Sequence, residues 1–256
     1  MPRSPFNYGL KIQDMPQIDY AGKTDIGLKR TNNEDVLAIN SESGYCLAAD
    51  GMGGAAAGEL ASKIFAETAA DLFPGNQLQT ETDAIYHVQH IFFESNQRII
   101  ADGVINEHHK GMGCTAELLI FVKNLFVLGH VGDSRTYRWR NDALVQLTTD
   151  HTFVQQQVEE GVVHPENVRR HPLRHVIMRA VGLKEELLID ILKGRTLPGD
   201  LYLLCSDGLT DMVEDEQLED ILSDDSPLQQ KTDALIDIAK NSGGKDNITV
   251  VIAAVT

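Results

Sequence analysis

The chain has 256 residues, 42% of them apolar, with a formal net charge of −16. That length and apolar content suit one large domain with a substantial core, with two small domains as the other arrangement, and argue against disorder. The negative charge argues against a nucleic-acid partner, whose phosphates would be repelled unless a local basic patch intervened.

Residues 1–17 carry three prolines and no apolar periodicity, and read as an N-terminal extension. Extended segments follow at Ile18–Asp25, Val36–Asn40 and Tyr45–Ala49. The stretch AAAGELASKIFAETAADLF reads as a helix whose face is set by Leu60, Ile64, Phe65 and Leu72, and PGN at 74–76 closes it. DAIYHVQHIFFESNQRIIADG is a second helix, with Ile85, Val88, Phe92 and Ile99 inward. Strands then come in a run: CTAELLIFV, NLFVLGHVG, SRTYRWR and ALVQLT, the first two joined by a hairpin at Lys123–Asn124. Residues 151–182 are rich in His and Arg and weakly patterned, and read as an irregular or helical insertion. Strands return at LLIDIL and DLYLLCS, helices at Glu216–Leu222 and Pro227–Lys240, and a last strand at NITVVIAAV. Consecutive strands interrupted by helix pairs predict antiparallel sheets in a sandwich with helices outside, a layered α/β (α+β) fold in one domain over 18–256.

Cys46, Cys114 and Cys205 lie in or beside apolar runs without CxxC spacing. Buried, reduced thiols are expected rather than a zinc site or a disulfide frame. No apolar run approaches the ~20 residues of a membrane span, and the first residues lack a signal-peptide core. The expectation is a cytoplasmic protein with no membrane association.

Aspartates stand at strand ends beside glycine or asparagine: Asp50 after CLAA, Asp133 after FVLGHVG, Asp207 after LYLLCS, and Asp246 before the final strand. Glu34 and Asp35 precede another strand in RTNNEDV. One such residue is an ordinary turn aspartate. If the strand ends converge, the carboxylates repel one another and need cations. Oxygen donors without Cys or His at ligand spacing select Mg²⁺ or Mn²⁺, and Ca²⁺ less readily, since the D-x-D-x-D-G loop is absent. Gly51 lets its carbonyl approach an ion unobstructed.

TDIGLKRTNNEDVLAI, AADGMGG, GMGCTAELLIFV, GHVGDSRTY, LTTDH, LCSDGL and GGKDNITVVI occur in an order that resembles the metal-dependent protein phosphatases of the PPM (protein phosphatase 2C-like) family, from about residue 18 onward. The resemblance implies a four-layer α-β-β-α sandwich of two mainly antiparallel sheets. It implies a serine/threonine phosphoprotein phosphatase in which a hydroxide bridging two Mg²⁺ or Mn²⁺ ions attacks the phosphomonoester without a phospho-enzyme. Carried onto this sequence, Asp50 bridges both ions, Gly51 offers its carbonyl, and Asp207 and Asp246 complete the protein ligands. Glu34 and Asp35 hold coordinated waters, and Arg30 clamps the phosphate. Asp133 either joins Asp207 at a third, weaker ion or has a structural role. Gly113 and Thr115 support the site, Asn247 fixes backbone geometry, and His151 orders a loop.

Many eukaryotic members of the family have histidine, a proposed general acid, where this chain has Met52, as bacterial-type members commonly do. Methionine carries no titratable proton. Two donors remain: a coordinated water, which is the expected one, or a histidine of the 151–182 segment lying over the site as a flap, among His164, His171 and His175, of which His171 is slightly favoured. Arg169, Arg170, Arg174 and Arg179 make the flap basic and suited to selecting phosphoproteins. The expected partners are phosphoserine and phosphothreonine proteins made by a bacterial serine/threonine kinase, acted on by a monomer. A non-catalytic phospho-sensing member of the same fold is the alternative. A two-metal phosphodiesterase or nuclease is disfavoured by the charge and the motif order.

Overall fold

Alternation along two central strands sets the layers. The structure, a computed structural model, describes residues 16–53, 57–73 and 75–256. The N-terminal extension, except for Pro16 and Gln17, and the first two residues of the first expected helix lie outside the described residues. In β3 (Tyr45–Met52), Tyr45, Leu47 and Ala49 enter one apolar cluster while Cys46 and Ala48 enter another. In β11 (Ile248–Val255), Ile248, Val250 and Ile252 face a third cluster, and Val251, Ala253 and Val255 face the same one as Cys46. The cluster holding Cys46 and Val251 is therefore the seam between two sheets, and the other two are the helix–sheet layers.

One sheet runs β1 (Ile18–Asp25), β11, β10 (Leu201–Cys205), β7 (Arg135–Arg140), β8 (Ala143–Gln146). The other runs β2 (Asp35–Asn40), β3, β5 (Ala116–Val122), β6 (Leu125–Val131), β9 (Asp190–Arg195), with the two-residue β4 (Gly113–Cys114) against β3. All paired neighbours are antiparallel. The expected hairpin joins β5 to β6. The strand expected over LLIDIL begins three residues later, at Asp190, where pairing with His130 starts.

Helices α1 (Ala57–Leu72) and α2 (Glu81–Ile105) cover the sheet containing β3. The Thr80 hydroxyl caps α2 by accepting from the Asp83 amide at 3.1 Å. The inward face of α1 differs from the expected one. Ala57, Gly58, Ala61, Ser62, Phe65, Thr68 and Ala69 are buried, whereas Leu60, Ile64 and Leu72 are only partly so. Small residues let this helix lie close on β3, and the larger side chains pack at its flanks. Across the molecule, α5 (Asp215–Ser223) and α6 (Leu228–Asn241) cover the sheet containing β11. The flap holds α3 (Phe153–Glu159) and a 3-10 turn at Pro165–Arg170. One turn of helix, α4 (Asp207–Thr210), follows β10. Among the described residues, no helix is long and apolar enough to cross a membrane.

Candidate active site

Several strand ends and their loops meet at one rim of the sandwich. The β2–β3 register places Asp35 opposite Asp50. The Asp50 amide donates to Thr115 Oγ1 at 3.2 Å, and the Thr115 amide donates to the Asp50 carbonyl at 2.8 Å. Thr115 Oγ1 lies 2.6 Å from Ser134 Oγ. Gly51 sits against the first turn of α1, where a Cβ would collide with the Gly58 carbonyl, so only glycine fits.

On the other sheet, Ser206 at the end of β10 donates to Asp35 Oδ2 at 2.7 Å and accepts from the Thr249 amide at 3.0 Å. This hydroxyl couples the two sheets beside the carboxylates. Asn247 fastens the remaining loops. Its Oδ1 accepts from the Glu34 amide at 2.8 Å, and its Nδ2 donates to the carbonyls of Ile26 at 3.0 Å and Asn32 at 2.9 Å. The backbone-fixing role expected for Asn247 matches these bonds.

A cleft of about 680 Å³ opens over this rim, lined by Arg30, Glu34, Asp50, Gly51, Asp207 and Asp246 together with Met52 and flap residues Arg174, His175 and Ile177. Arg30 Nη2 donates to Asp246 Oδ2 at 2.7 Å. Asp133 joins Asp207, Asp211, Arg174 and His175 around a smaller adjoining cleft. Asp211 was not singled out from sequence. Its signal was the four-residue spacing from Asp207 in DGLTD, which puts both carboxylates on one side of a single helical turn. Ligand atoms of His175, Asp207 and Asp211 lie within 4.8 Å of one another.

The three flap histidines part company. His175 lines the main cleft, its Nδ1 3.5 Å from Asp211 Oδ2. His164 is exposed beside Glu166, and the His171 ring, favoured from sequence, accepts from the Leu173 amide; neither lines that cleft. The basic flap is divided too: Arg169 pairs with Glu214 and Arg179 with Asp190, leaving Arg174 in the cleft. His151 accepts from the Gly132 amide at 3.1 Å, ordering the flap root; burial, with His130 nearby, pulls it down to about 4.

The electrostatics ask for cations. Burial, then the charges of Asp35, Asp207, Asp133 and Asp246, push Asp50 well above the carboxylate range. Burial, then Asp133, Asp211 and Asp246, do the same to Asp207. Burial and Asp150 raise Asp133 to about 7, and burial raises Asp35 to about 6 against the hydrogen bond from Ser206. One buried oxygen on each of Asp35, Asp133 and Asp207 has no hydrogen-bond partner. Crowded, desolvated carboxylates with unused lone pairs suit hard divalent ions, so the residues present fit the expected metals.

A buried pair behind the rim escaped the sequence reading. Glu117 on β5 and His130 on β6 are fully buried and paired through His130 Nδ1. Thr136 Oγ1 donates to the second Glu117 oxygen, and His130 Nε2 donates to the Thr149 carbonyl at 2.9 Å. The visible signal was a lone acidic residue inside the apolar run AELLIFV.

Residues 28–249 match the family description Protein phosphatase 2C. Over 234 residues the chain is 36% identical to the protein phosphatase PhpP of Streptococcus pneumoniae, covering 90% of this chain and 95% of PhpP. Over 240 residues it is 40% identical to the serine/threonine protein phosphatase PstP of Mycobacterium tuberculosis, covering 92% of this chain and 45% of PstP. The crystal structure of the catalytic domain of PstP in complex with two manganese ions matches with a TM-score of 0.84 at 36% identity, covering 93% of this chain and 98% of that one.

Proposed function

The chain belongs to the PPM family of serine/threonine protein phosphatases, and we propose that it hydrolyses phosphoserine and phosphothreonine monoesters in proteins at the carboxylate rim, using two Mg²⁺ or Mn²⁺ ions. The observation that carries this reading is the convergence of Asp50, Asp207 and Asp246 with Arg30 in one cleft, beside buried carboxylate oxygens lacking partners.

Asp50 and the Gly51 carbonyl would hold the ions on one side, Asp207 and Asp246 on the other, with Asp133 and Asp207 as donors for a third, weaker one. When bound, the ions supply a water activated as nucleophile and positive charge for the phosphoryl oxygens. Glu34 and Asp35, both buried beside the cleft, orient water on the attacking side. Arg30 offers a planar, permanently charged fork to the phosphate, and its bond to Asp246 holds it ready at the rim. The buried thiols of Cys46, Cys114 and Cys205 are pushed up by burial and supply no nucleophile. Phosphate release from a phosphothreonine peptide with Mn²⁺, with Mg²⁺ and with EDTA is the direct test. Turnover is expected with the metals and none with EDTA; turnover in EDTA would overturn the proposal.

The proton for the serine or threonine alkoxide comes from water or from the flap. Met52 lines the cleft and has none to give, while His175 lines it and does. We assign His175 as the flap donor. His175→Gln is expected to slow a phosphothreonine peptide by about 10²-fold. A nitrophenyl phosphate, whose leaving group needs no proton, should change by less than about twofold on the same reasoning. Equal losses on both substrates would return the role to water. In the cell the proposed partner is a bacterial serine/threonine kinase whose products this enzyme, as a cytoplasmic monomer, resets.

A further inference from the structure

The cleft is lined by three cationic residues that the proposed chemistry does not use, Arg174 on the flap and Lys29 and Lys245 on two adjoining loops. Lys29 and Lys245 both line it, both are exposed, and neither has an ion-pair partner among the described residues. Other surface lysines such as Lys110, Lys123 and Lys184 are also without an ion pair among the described residues, and what sets Lys29 and Lys245 apart is their place on the cleft. Lys23, Arg98, Lys193 and Lys240 elsewhere on the surface all pair with carboxylates.

The backbone fixes where these lysines stand. The Leu28 amide donates to the Gly244 carbonyl at 2.7 Å, joining the loop after β1 to the loop before β11 one residue from each lysine. Gly27, at φ +77°, has no room for a Cβ against the Asp246 carbonyl, so the two loops are locked together. Arg30, on the same loop as Lys29, is committed to the phosphate being hydrolysed and is held at the rim by Asp246. Two lysines without ion-pair partners among the described residues therefore stand on joined loops at the mouth of the cleft that holds the carboxylates.

We infer that Lys29 and Lys245 form an accessory anion subsite that selects phosphoproteins carrying a second anionic group, a carboxylate or another phosphate, close to the phosphoresidue being hydrolysed. An ammonium is a mobile point charge without the fork geometry of arginine, so it accepts either anion. The acidic field of the chain would disfavour such substrates at every other approach. The subsite thus turns a global repulsion into a local preference. This inference rests on the phosphatase reading above.

The test uses the Mn²⁺-loaded protein and three phosphothreonine peptides: one with neutral flanks, one with glutamates within three residues, and one with a second phosphothreonine there. Wild type is expected to prefer the two anionic peptides by about 10-fold in kcat/KM, through KM, and to lose most of that preference when salt rises from ~0.05 to ~0.5 M. Lys29→Gln/Lys245→Gln should erase the preference and leave the neutral peptide within about twofold. The glutamate and phosphate arms separate the two sources of the anion, and preference for either supports the subsite. Equal kcat/KM on all peptides in wild type, or an equal loss on all of them in the double variant, would overturn it. Absence of turnover on even the neutral peptide and an aryl phosphate would instead remove the phosphatase reading, and this inference with it.

Discussion

Asp50→Asn is expected to lower phosphate release from a phosphothreonine peptide by on the order of 10³-fold while raising the melting temperature of the metal-free protein. The two halves follow from one cause. Asp50 is desolvated and surrounded by Asp35, Asp207, Asp133 and Asp246, so its ionised form is costly without cations and useful with them. The pH dependence has a definite sign. In the unfolded chain these carboxyls titrate near ~3.9, whereas in the folded, metal-free protein Asp35 is raised to about 6 and Asp133 to about 7. Between those limits the folded state binds more protons than the unfolded one, so stability rises as pH falls. Metal-free wild type should therefore gain melting temperature from pH ~8 to ~5, the reverse of ordinary acid denaturation, at about 1.4 kcal/mol per group for each pH unit by which its folded value is raised. Asp50→Asn should start higher and climb less. Adding Mn²⁺ should stabilise wild type and not the variant. Scanning calorimetry with EDTA and with Mn²⁺ decides the matter, and a variant less stable than wild type in EDTA would contradict the account.

Glu117→Ala should destabilise the protein by about 3–5 kcal/mol, because it leaves a buried histidine without its anion. Burial pulls the His130 imidazolium down, but the charge and hydrogen bond of Glu117 outweigh it and hold the ring up to about 9. On the other side, burial pushes the Glu117 carboxyl up against the lowering by His130 and Thr136. Since the folded value of His130 lies above the unfolded ~6.5, its contribution is complete below about that pH and is lost as pH rises through about 9. Glu117→Leu with His130→Leu should recover at least half of the loss, since desolvation of both ions is then avoided. His130 also holds the Thr149 carbonyl, next to the Arg135–Asp150 ion pair at the flap root. Urea unfolding of the single and double variants at pH ~6 and ~9.5 measures all three terms, and a single variant within ~1 kcal/mol of wild type would remove the pair from the account.

The strands were legible because most are buried on both faces or alternate cleanly. AELLIFV and ITVVIAAV are wholly buried, and Cys46 and Leu47 enter opposite layers as the two-residue period requires. The carboxylates were legible as a set because each stands near an end of an apolar strand beside glycine or asparagine. The face of α1 was not legible. Hydropathy ranks Leu60 and Ile64 above Ala61 and Ser62, whereas closeness to β3 decides which of them is inside. Partnerships between distant side chains were hidden as well. Nothing local in LGHVGD announces that His130 meets Glu117, or that His175 rather than His171 reaches the cleft.

The pairing of β1 with β11 sets Ile18 opposite Val255, and the proposed ligands run from Asp50 to Asp246. Such a fold has high contact order, so its loop-closure entropy is met late and its folding is slow. The rim cannot exist in a chain whose β11 has not yet docked between β1 and β10, because Asp246, Asn247 and the Ser206–Thr249 bond arrive together with that strand. Metal affinity during refolding should therefore appear in the last kinetic phase. Mn²⁺ binding is thereby a reporter of the completed fold, silent until the last strand has docked.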